Sequence, residues 1–309
     1  MSAPLPDLSE EVALIAASVV DGVVSVTRVP SFAGNRVFHV THQSGAEFFK
    51  FGSAADIARE HTAIGVASAA GVPVPHVTAF DQRGTLSPHP LLVLEQVPGG
   101  PCDGTEPWFR SGTSGLMTRL HSVTLERFGT TTGTDAGQLR GDSDSWIEAL
   151  HERAASAHAP ADAGLVPPHL INRVLHAVER HSAILDLEHG HFLHGDFHPR
   201  HVYSSGDTIT AVIDWGDATS GDHDYDLARL LHAAILREQN HSPITAASEL
   251  LQAEGVANDE RLSKLLLYAA VFLCSSMAGE FAGGSPWPPW WPVQTHVLSK
   301  LVTSLDQLR

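Results

Sequence analysis

Four charged side chains of this sequence have the types and spacing that moving a phosphate requires. Lys50 stands alone in the apolar run EFFKFG, and Glu60 follows in a stretch of helical character. Further on, Asp196 in HGDFHPRH precedes Asp214 in AVIDWGD. Phosphoryl transfer asks little covalent chemistry of a protein. One carboxylate receives a hydroxyl proton, another holds a metal that bridges the phosphates, and a positioned ammonium grips them. Taken singly, Lys50 reads as a side chain snorkelling from a sheet edge and Glu60 as a solvated helix residue. The stretch HFLHGDFHPRHVY, from His191 to Tyr203, raises a competing chemistry, a histidine metal centre. A zinc hydrolase wants a tighter pattern such as H-x-H-x-D-H, and His198 is followed by Pro199. With 20 histidines in the chain, close spacing is partly compositional. A metallohydrolase would also leave Lys50 and Glu60 without a role.

The elements that must position these groups fall into two compositional regions. DLSEEVALIAASVV places Leu8, Val12, Ile15 and Val19 on one face of an opening helix, with Asp7 and Glu10 as a cap pair. From Val23 to Phe51 the pattern alternates as strands do, VVSVTRV, RVFHVTH and EFFKFG, separated by the turns PSFAGN and QSGA. A three-stranded antiparallel meander is expected. SAADIAREHTAIGVASAAG then reads as a helix ending at Gly71, and VPVPHVTAFD and HPLLVLEQV as two more strands. After the Pro/Gly break EQVPGGPC, helical patterns dominate, among them SDSWIEALHERAA with Ser145 and Glu148 as a capping box. One β insertion, HFLHGDF, HVYSS and TITAVIDWGD, lies inside this helical region and carries both aspartates.

The bulk properties bound the function. The 309 residues suffice for two lobes, and 43% hydrophobic content is ordinary for a soluble protein. Cys102 and Cys274 have no C-x-x-C spacing, which argues against a disulfide framework or a thiolate zinc site and fits a reducing cytoplasm. The start carries Asp7, Glu10 and Glu11 and no basic n-region, so it does not read as a secretory signal. The apolar run LLLYAAVFLC falls short of the roughly 20 residues that cross a bilayer, and no membrane is expected. Net charge is −16, with −4 in residues 1–95 and −12 in residues 96–309. Such a surface repels nucleic-acid phosphates and favours a cationic ligand or metal ions, though solubility alone also accounts for it.

HGDFHPRH resembles the H-G-D-x-x-x-x-N catalytic loop of the aminoglycoside phosphotransferase and choline kinase group. VIDWGDATSGDHDYDLARL resembles the same group's I-D-W/F segment followed by G-D-x-x-Y-D-L-A. VFHV before FFKF, AREHTAIGVASAAGVPVPHV, LLVLEQVPG and RLHSV match in the same order, so the likeness covers roughly residues 20 to 235. It implies an α+β, two-lobed protein-kinase-like fold. Residues 1–96 would form a nucleotide-binding lobe of antiparallel sheet plus one helix, and residues 97–309 a larger, mainly helical catalytic and substrate-binding lobe. By the same resemblance Lys50 clamps the nucleotide phosphates, Glu60 orients it, Asp196 is the catalytic base and Asp214 binds the metal. The backbone from Glu95 to Val97 bonds the nucleotide base, and Asp226 braces the catalytic loop. Asp217 and Asp222 also read as turn aspartates. The group's Gly-rich phosphate loop is poorly matched, because SFAGNRVFHV supplies only Gly34, leaving Ser31, Asn35 and the loop backbone to cover the phosphates.

The resemblance breaks at His201, where the pattern asks for an asparagine as an oxygen ligand. Mg²⁺ prefers oxygen, so imidazole is a poor replacement beside it. A weakened second metal site, a site tolerant of Mn²⁺ and an inactive nucleotide binder are the three readings. Macrolide phosphotransferases, a branch of the same group, resemble this chain in carrying histidine there, which implies an active enzyme. ITAVIDWGDA also resembles hygromycin phosphotransferases. The expected activity is transfer of the γ-phosphate of ATP or GTP, with Mg²⁺ or Mn²⁺, to a hydroxyl of an aminoglycoside- or macrolide-like antibiotic. A choline-, sugar- or homoserine-type metabolite kinase and a nucleotide-binding pseudokinase are the alternatives. A small hydroxylated substrate is the expected partner, with the protein a monomer or homodimer. Asp222, Asp224 and Glu280 are acidic candidates for the acceptor site, and Trp287, Trp290 and Trp291 an aromatic one, which also reads as a core cap.

Overall fold

The computed structural model describes residues 9–31, 35–133, 138–237, 242–255, 258–283 and 291–308. Helix α1 (Ser9–Val19) buries Val12, Ile15 and Ala16. These meet a sheet built from β1 (Val23–Val29), β2 (Arg36–His42), β3 (Gly45–Phe51), β4 (Val77–Asp81) and β5 (Leu91–Glu95). The strand order is β1-β2-β3-β5-β4, antiparallel throughout, and its first three strands are the expected meander. Alternation decides which residues face where. Phe38, Val40, Phe49 and Phe51 pack with α1 in one core cluster, and Lys50, between the last two, turns to the opposite face.

Helix α2 (Ala54–Ala69) lies between β3 and β4 in sequence. It starts where the Ser53 side chain accepts a hydrogen bond from Asp56 N. Its buried Ile57, Ala63 and Ile64 join the second, larger core together with Leu116, Phe192 and Trp215 of the C-terminal region. The helix therefore belongs to one sheet by sequence and to the other lobe by packing.

Beyond Glu95 come β6 (Gly100–Pro101), α3 (Phe109–His121), β7 (Thr124–Leu125), β8 (Phe128–Gly133) and β9 (Leu139–Ser143). They are followed by α4 (Trp146–Ala155), α5 (His158–Asp162), α6 (Pro168–Arg180) and α7 (Ser182–Leu185). The Ser145 hydroxyl caps α4 by accepting from Glu148 N, while the Glu148 carboxylate accepts from Asp144 N, one residue earlier than a capping box would have it. Next come β10 (Gly190–Leu193), β11 (Val202–Ser205), β12 (Thr208–Val212) and β13 (Thr219–Gly221), then α8 (Asp224–Arg237), α9 (Pro243–Ala253), α10 (Asp259–Gly283) and α11 (Trp291–Gln307).

This region contains more sheet than the sequence suggests. One sheet runs β7-β10-β13-β8-β9 and another β12-β11-β6, so the expected single β insertion is split between two sheets. The missed strands read FGTTTG and LRGDS, with hardly an apolar residue to alternate. They pair with each other as neighbours in sequence, and β8 is anchored to the sheet by β13, remote in sequence, which periodicity cannot show. The apolar run near Cys274 also proves to be part of a 25-residue helix, α10, long and apolar enough to cross a membrane by those criteria. Most of that stretch is instead buried, with Leu265, Leu266, Val271 and Met277 in the core against α4, α8 and α11.

Candidate active site

Three segments meet at one cleft: β3 with α2, the loop after β10, and the loop after β12. Lys50 Nζ lies 2.6 Å from Glu60 Oε2 and 2.9 Å from Asp214 Oδ1, the last contact joining residues 164 positions apart. Lys50 and Glu60 are buried, whereas the Asp214 side chain is 48% exposed at the cleft mouth. Burial works against the ammonium charge. Asp214 and Glu60 outweigh it and hold the Lys50 pKa above the ordinary lysine value. In return, Lys50 holds the Asp214 carboxyl down to about 2. Asp214 itself sits in the left-handed region, φ 65°, which turns the chain out of β12 and aims its carboxylate back at the lysine.

Arg59, one residue before Glu60, donates from Nε to Gly216 O at 2.7 Å. This pins α2 to the short 3-10 turn Trp215–Asp217 directly after Asp214. The placing of Lys50 and Glu60 thus depends on a bond between α2 and the turn that follows Asp214.

The Asp196 loop is held from beneath by backbone bonds to one buried carboxylate. Asp226, at the start of α8, accepts from His194 N at 3.0 Å and from Gly195 N at 2.9 Å, and its Oδ2 also lies 3.0 Å from His121 Nε2. Gly195 has φ 81°, and a Cβ there would stand 1.8 Å from Asp217 O, so only glycine fits. The buried His194 ring is kept neutral, its pKa lowered by burial. Its Nε2–H donates to Ile213 O at 2.9 Å, and its Nδ1 accepts from Asp196 N at 3.2 Å.

Asp196 is paired with Arg229 Nε. Burial alone would raise its pKa. The Arg229 guanidinium overrides that and holds the carboxyl well below the usual carboxylate range. Arg229 is itself fixed, lying 4.4 Å over the Phe272 ring and donating from Nη1 to His232 Nδ1 at 2.8 Å. His198 stays neutral beside it, lowered to about 3 by burial and then by Arg229.

His201 bridges the two aspartates. Its Nδ1 lies 2.9 Å from the Asp196 carbonyl oxygen, to which it donates, and its other ring nitrogen is Nε2. That nitrogen faces Asp214 Oδ2 at 3.7 Å, the carboxylate oxygen that Lys50 leaves free. An imidazole nitrogen and a carboxylate oxygen facing each other at this distance are a pair of atom types that can share a cation. The donor set fits a divalent ion, with an imidazole that favours Mn²⁺ over Mg²⁺.

The other expected site residues fall as follows. The Ser31 hydroxyl donates to Asn35 O at 2.5 Å, and the Asn35 side chain lies against Gly52 at the end of β3. Gly34, between them, is outside the described residues. Glu95 N donates to His76 O at 3.0 Å and Gln96 N to Ala46 O at 2.9 Å, so of the 95–97 segment neither of those amides is open to a nucleotide base. Val97 and the carbonyls of the segment carry that expectation. Asp217 is exposed next to the Asp214 turn.

The acidic acceptor candidates need correction. Asp222 is 1% exposed and accepts from Lys264 Nζ and Tyr268 Oη, both at 2.9 Å. Asp224, equally buried, is held by Arg261, whose Nε lies 3.0 Å from Oδ2. Both are buried ion pairs inside the lobe, their carboxylates engaged by Lys264 and Tyr268 and by Arg261. Glu280 is buried on α10 with Oε1 lacking a hydrogen-bond partner. Trp287 and Trp290 are outside the described residues, and Trp291 begins α11. Sequence reasoning missed Arg229, although it lies one helical turn beyond Asp226 in YDLARL, where i and i+3 share a face.

The family model described as "Phosphotransferase enzyme family" matches residues 25–265. No curated protein matches the chain at a significant level. Among solved structures, aminoglycoside phosphotransferase APH(4)-Ia superposes with a TM-score of 0.68 at 17% identity, covering 96% of this chain and 98% of that one. A thermostable mutant of it in ternary complex with ADP and hygromycin B gives 0.69 at 15% identity, covering 96% and 99%. A protein assigned as a fructosamine-3-kinase of Thermobifida fusca YX-ER1 gives 0.61 at 18% identity, covering 94% and 98%. At these identities the likeness is one of fold.

Proposed function

The chain belongs to the phosphotransferase enzyme family, and we propose that it transfers the γ-phosphate of ATP or GTP to a hydroxyl of an aminoglycoside- or macrolide-like antibiotic, inactivating it. The observation that carries this reading is the cleft itself. Lys50 is locked between Glu60 and Asp214, and an ionised Asp196 stands across His201 from Asp214.

In this reading Lys50 grips the nucleotide phosphates and Glu60 keeps it in place. Arg229 holds Asp196 ionised and oriented. Asp196 takes the proton of the acceptor hydroxyl as that oxygen bonds to the γ-phosphorus. The bond from the phosphorus to the bridging oxygen breaks, and the nucleoside diphosphate leaves with the electron pair. A divalent cation, Mg²⁺ or Mn²⁺, supplies charge neutralisation at the phosphates when bound, and Asp214 and His201 are the residues that would hold it.

The lobes are taken as residues 1–96 and 97–309. Gln96 N still bonds the first sheet, whereas β6 already pairs with β11. The buried, unpaired Cys102 and Cys274 suit a cytoplasmic enzyme. A metabolite kinase is the second reading, supported by the likeness to the fructosamine-3-kinase fold.

The test is mass spectrometry of macrolides, aminoglycosides, choline and sugars after incubation with protein, either nucleotide and Mg²⁺ or Mn²⁺. One added phosphate on an antibiotic, absent with Asp196→Ala, is the expected outcome. Phosphate on choline or a sugar alone moves the protein to the second reading. Nucleotide bound without any product establishes a pseudokinase.

A further inference from the structure

His232 lies one turn beyond Arg229 on the same face of α8, and only 4% of it is exposed. Its ring centre is 5.4 Å from that of Phe272 on α10, the ring over which the Arg229 guanidinium also lies. A guanidinium has only donors, so at the 2.8 Å contact Arg229 Nη1 gives the hydrogen and His232 Nδ1 accepts it. Burial, and after it the charge of Arg229, lower the His232 pKa well below the ordinary value. The ring is therefore neutral, and its one N–H is on Nε2. That Nε2–H is buried and has no hydrogen-bond partner. A buried N–H without an acceptor works against the fold, and an apolar side chain here would avoid it. The imidazole is kept for what its other nitrogen does.

That nitrogen settles how Arg229 meets Asp196. Arg229 Nε donates to Asp196 Oδ1, and no second prong of the guanidinium reaches the carboxylate. Arginine and carboxylate frequently meet instead as a two-pronged fork that takes both carboxylate oxygens. The end-on form of that fork needs Nη1, and here Nη1 is committed to His232. Asp196 Oδ2 consequently accepts no hydrogen bond among the described residues. His201 Nδ1 lies 3.6 Å from it and donates to the Asp196 carbonyl oxygen instead. A general base needs an oxygen with an uncommitted lone pair, and Oδ2 is the one that remains.

We propose that His232 is a positioning residue for phosphotransfer: by holding Arg229 Nη1 it keeps the guanidinium on one oxygen of Asp196 and leaves Oδ2 to take the proton of the acceptor hydroxyl. This rests on the reading of Asp196 as the base. In the step, the hydroxyl hydrogen passes to Oδ2 as the hydroxyl oxygen bonds to the γ-phosphorus. The nucleoside diphosphate leaves with the electron pair of the broken phosphorus–oxygen bond. His232 exchanges no proton and touches no reactant; it acts through Arg229 alone.

The test compares His232→Asn, whose amide oxygen stands near the place of Nδ1 and can accept from Arg229, with His232→Leu, which cannot. Isotope-labelled arginine gives the Arg229 Nε–H resonance by NMR, assigned through its loss in Arg229→Lys. It should hold the low-field position of a carboxylate-bonded N–H in the parent and in His232→Asn, and move in His232→Leu. On whichever antibiotic, choline or sugar the parent phosphorylates, His232→Leu should lose about 10²-fold in kcat, the scale of a misplaced reacting group, with KM for the nucleotide unchanged. His232→Asn should recover most of that loss. Thermal melts establish that each variant is folded. Should His232→Leu not melt cooperatively, His232→Gln, whose amide reaches the place of Nε2 instead, takes its part with the same expectation. An unmoved resonance or a parent-like kcat in that variant overturns the proposal, and so does a folded His232→Asn that loses as much. A parent that phosphorylates nothing in the panel defeats the reading of Asp196 as base, while the resonance comparison still decides whether His232 holds Arg229.

Discussion

At the scale of residues, the site turns on two groups that flank Asp196, the proposed catalytic base. Arg229 sets its ionisation. A carboxyl held low by a neighbouring guanidinium works as a base into acid solution, so Arg229→Met should raise the Asp196 pKa. The acid limb of the kcat profile then moves to higher pH, and the pH dependence measured with saturating substrates reads this directly. A merely structural arginine would lower kcat without moving that limb. Removing the base, Asp196→Ala, should cost about 10²–10⁴ in kcat. In the proposed function His201 sets the metal preference. His201→Asn replaces a nitrogen donor by the oxygen that Mg²⁺ prefers, so Mg²⁺-supported activity should hold or rise relative to Mn²⁺. Complete loss in a folded variant would show that the imidazole is required.

At the scale of elements, the loops are held by features that tolerate little change. Gly195→Ala adds a Cβ 1.8 Å from Asp217 O at a left-handed residue. The penalty should exceed the roughly 1–2 kcal/mol of the conformation alone, visible as a lowered melting temperature together with lost activity. The junction of β13 and α8 depends on the buried Asp222 with Lys264 and Tyr268. Lys264→Met strands that carboxylate and should destabilise the fold by about 3–5 kcal/mol in thermal melts at neutral pH. Burial opposes the Asp222 charge, but Lys264 and its hydrogen bonds hold the folded pKa below the ordinary value. The stabilisation is therefore complete above the unfolded carboxyl pKa of about 4 and fades as pH falls through the lower folded value. The gap between parent and variant should narrow accordingly in melts at acid pH.

At the scale of the whole molecule, the proposed nucleotide site draws on both lobes. Lys50 is on a strand of the first sheet, Asp214 follows β12 of the second lobe, and Arg59 ties α2 to the turn beyond Asp214. Nucleotide should therefore stabilise the protein as one unit, by about 2.7 kcal/mol at a hundredfold excess over Kd. Lys50→Met should abolish most of that shift in a thermal-shift assay, since it removes the phosphate grip and leaves Glu60 buried without its cation.

The sequence alone determined the groups that announce themselves by type and order. Lys50, Glu60, Asp196 and Asp214 are legible because their types and order match one family pattern, and Lys50 in FFKF and Asp214 in VIDW stand as charges within apolar runs, where they are costly unless partnered. The alternation of VFHV and EFFKF fixes the meander because side chains of a strand change face at every residue. Helix α4 is legible from Ser145 and Glu148, since caps act within one turn. The tertiary structure alone decided what depends on distant partners. FGTTTG becomes a strand only because β13 and β9 lie beside it. Asp222 and Asp224 read as exposed acids until Lys264 and Arg261, some forty positions away, bury them as ion pairs. Arg229 reaches Asp196 across 33 positions, a pairing that no local pattern encodes, because the energy of a buried charge is set by what surrounds it in space.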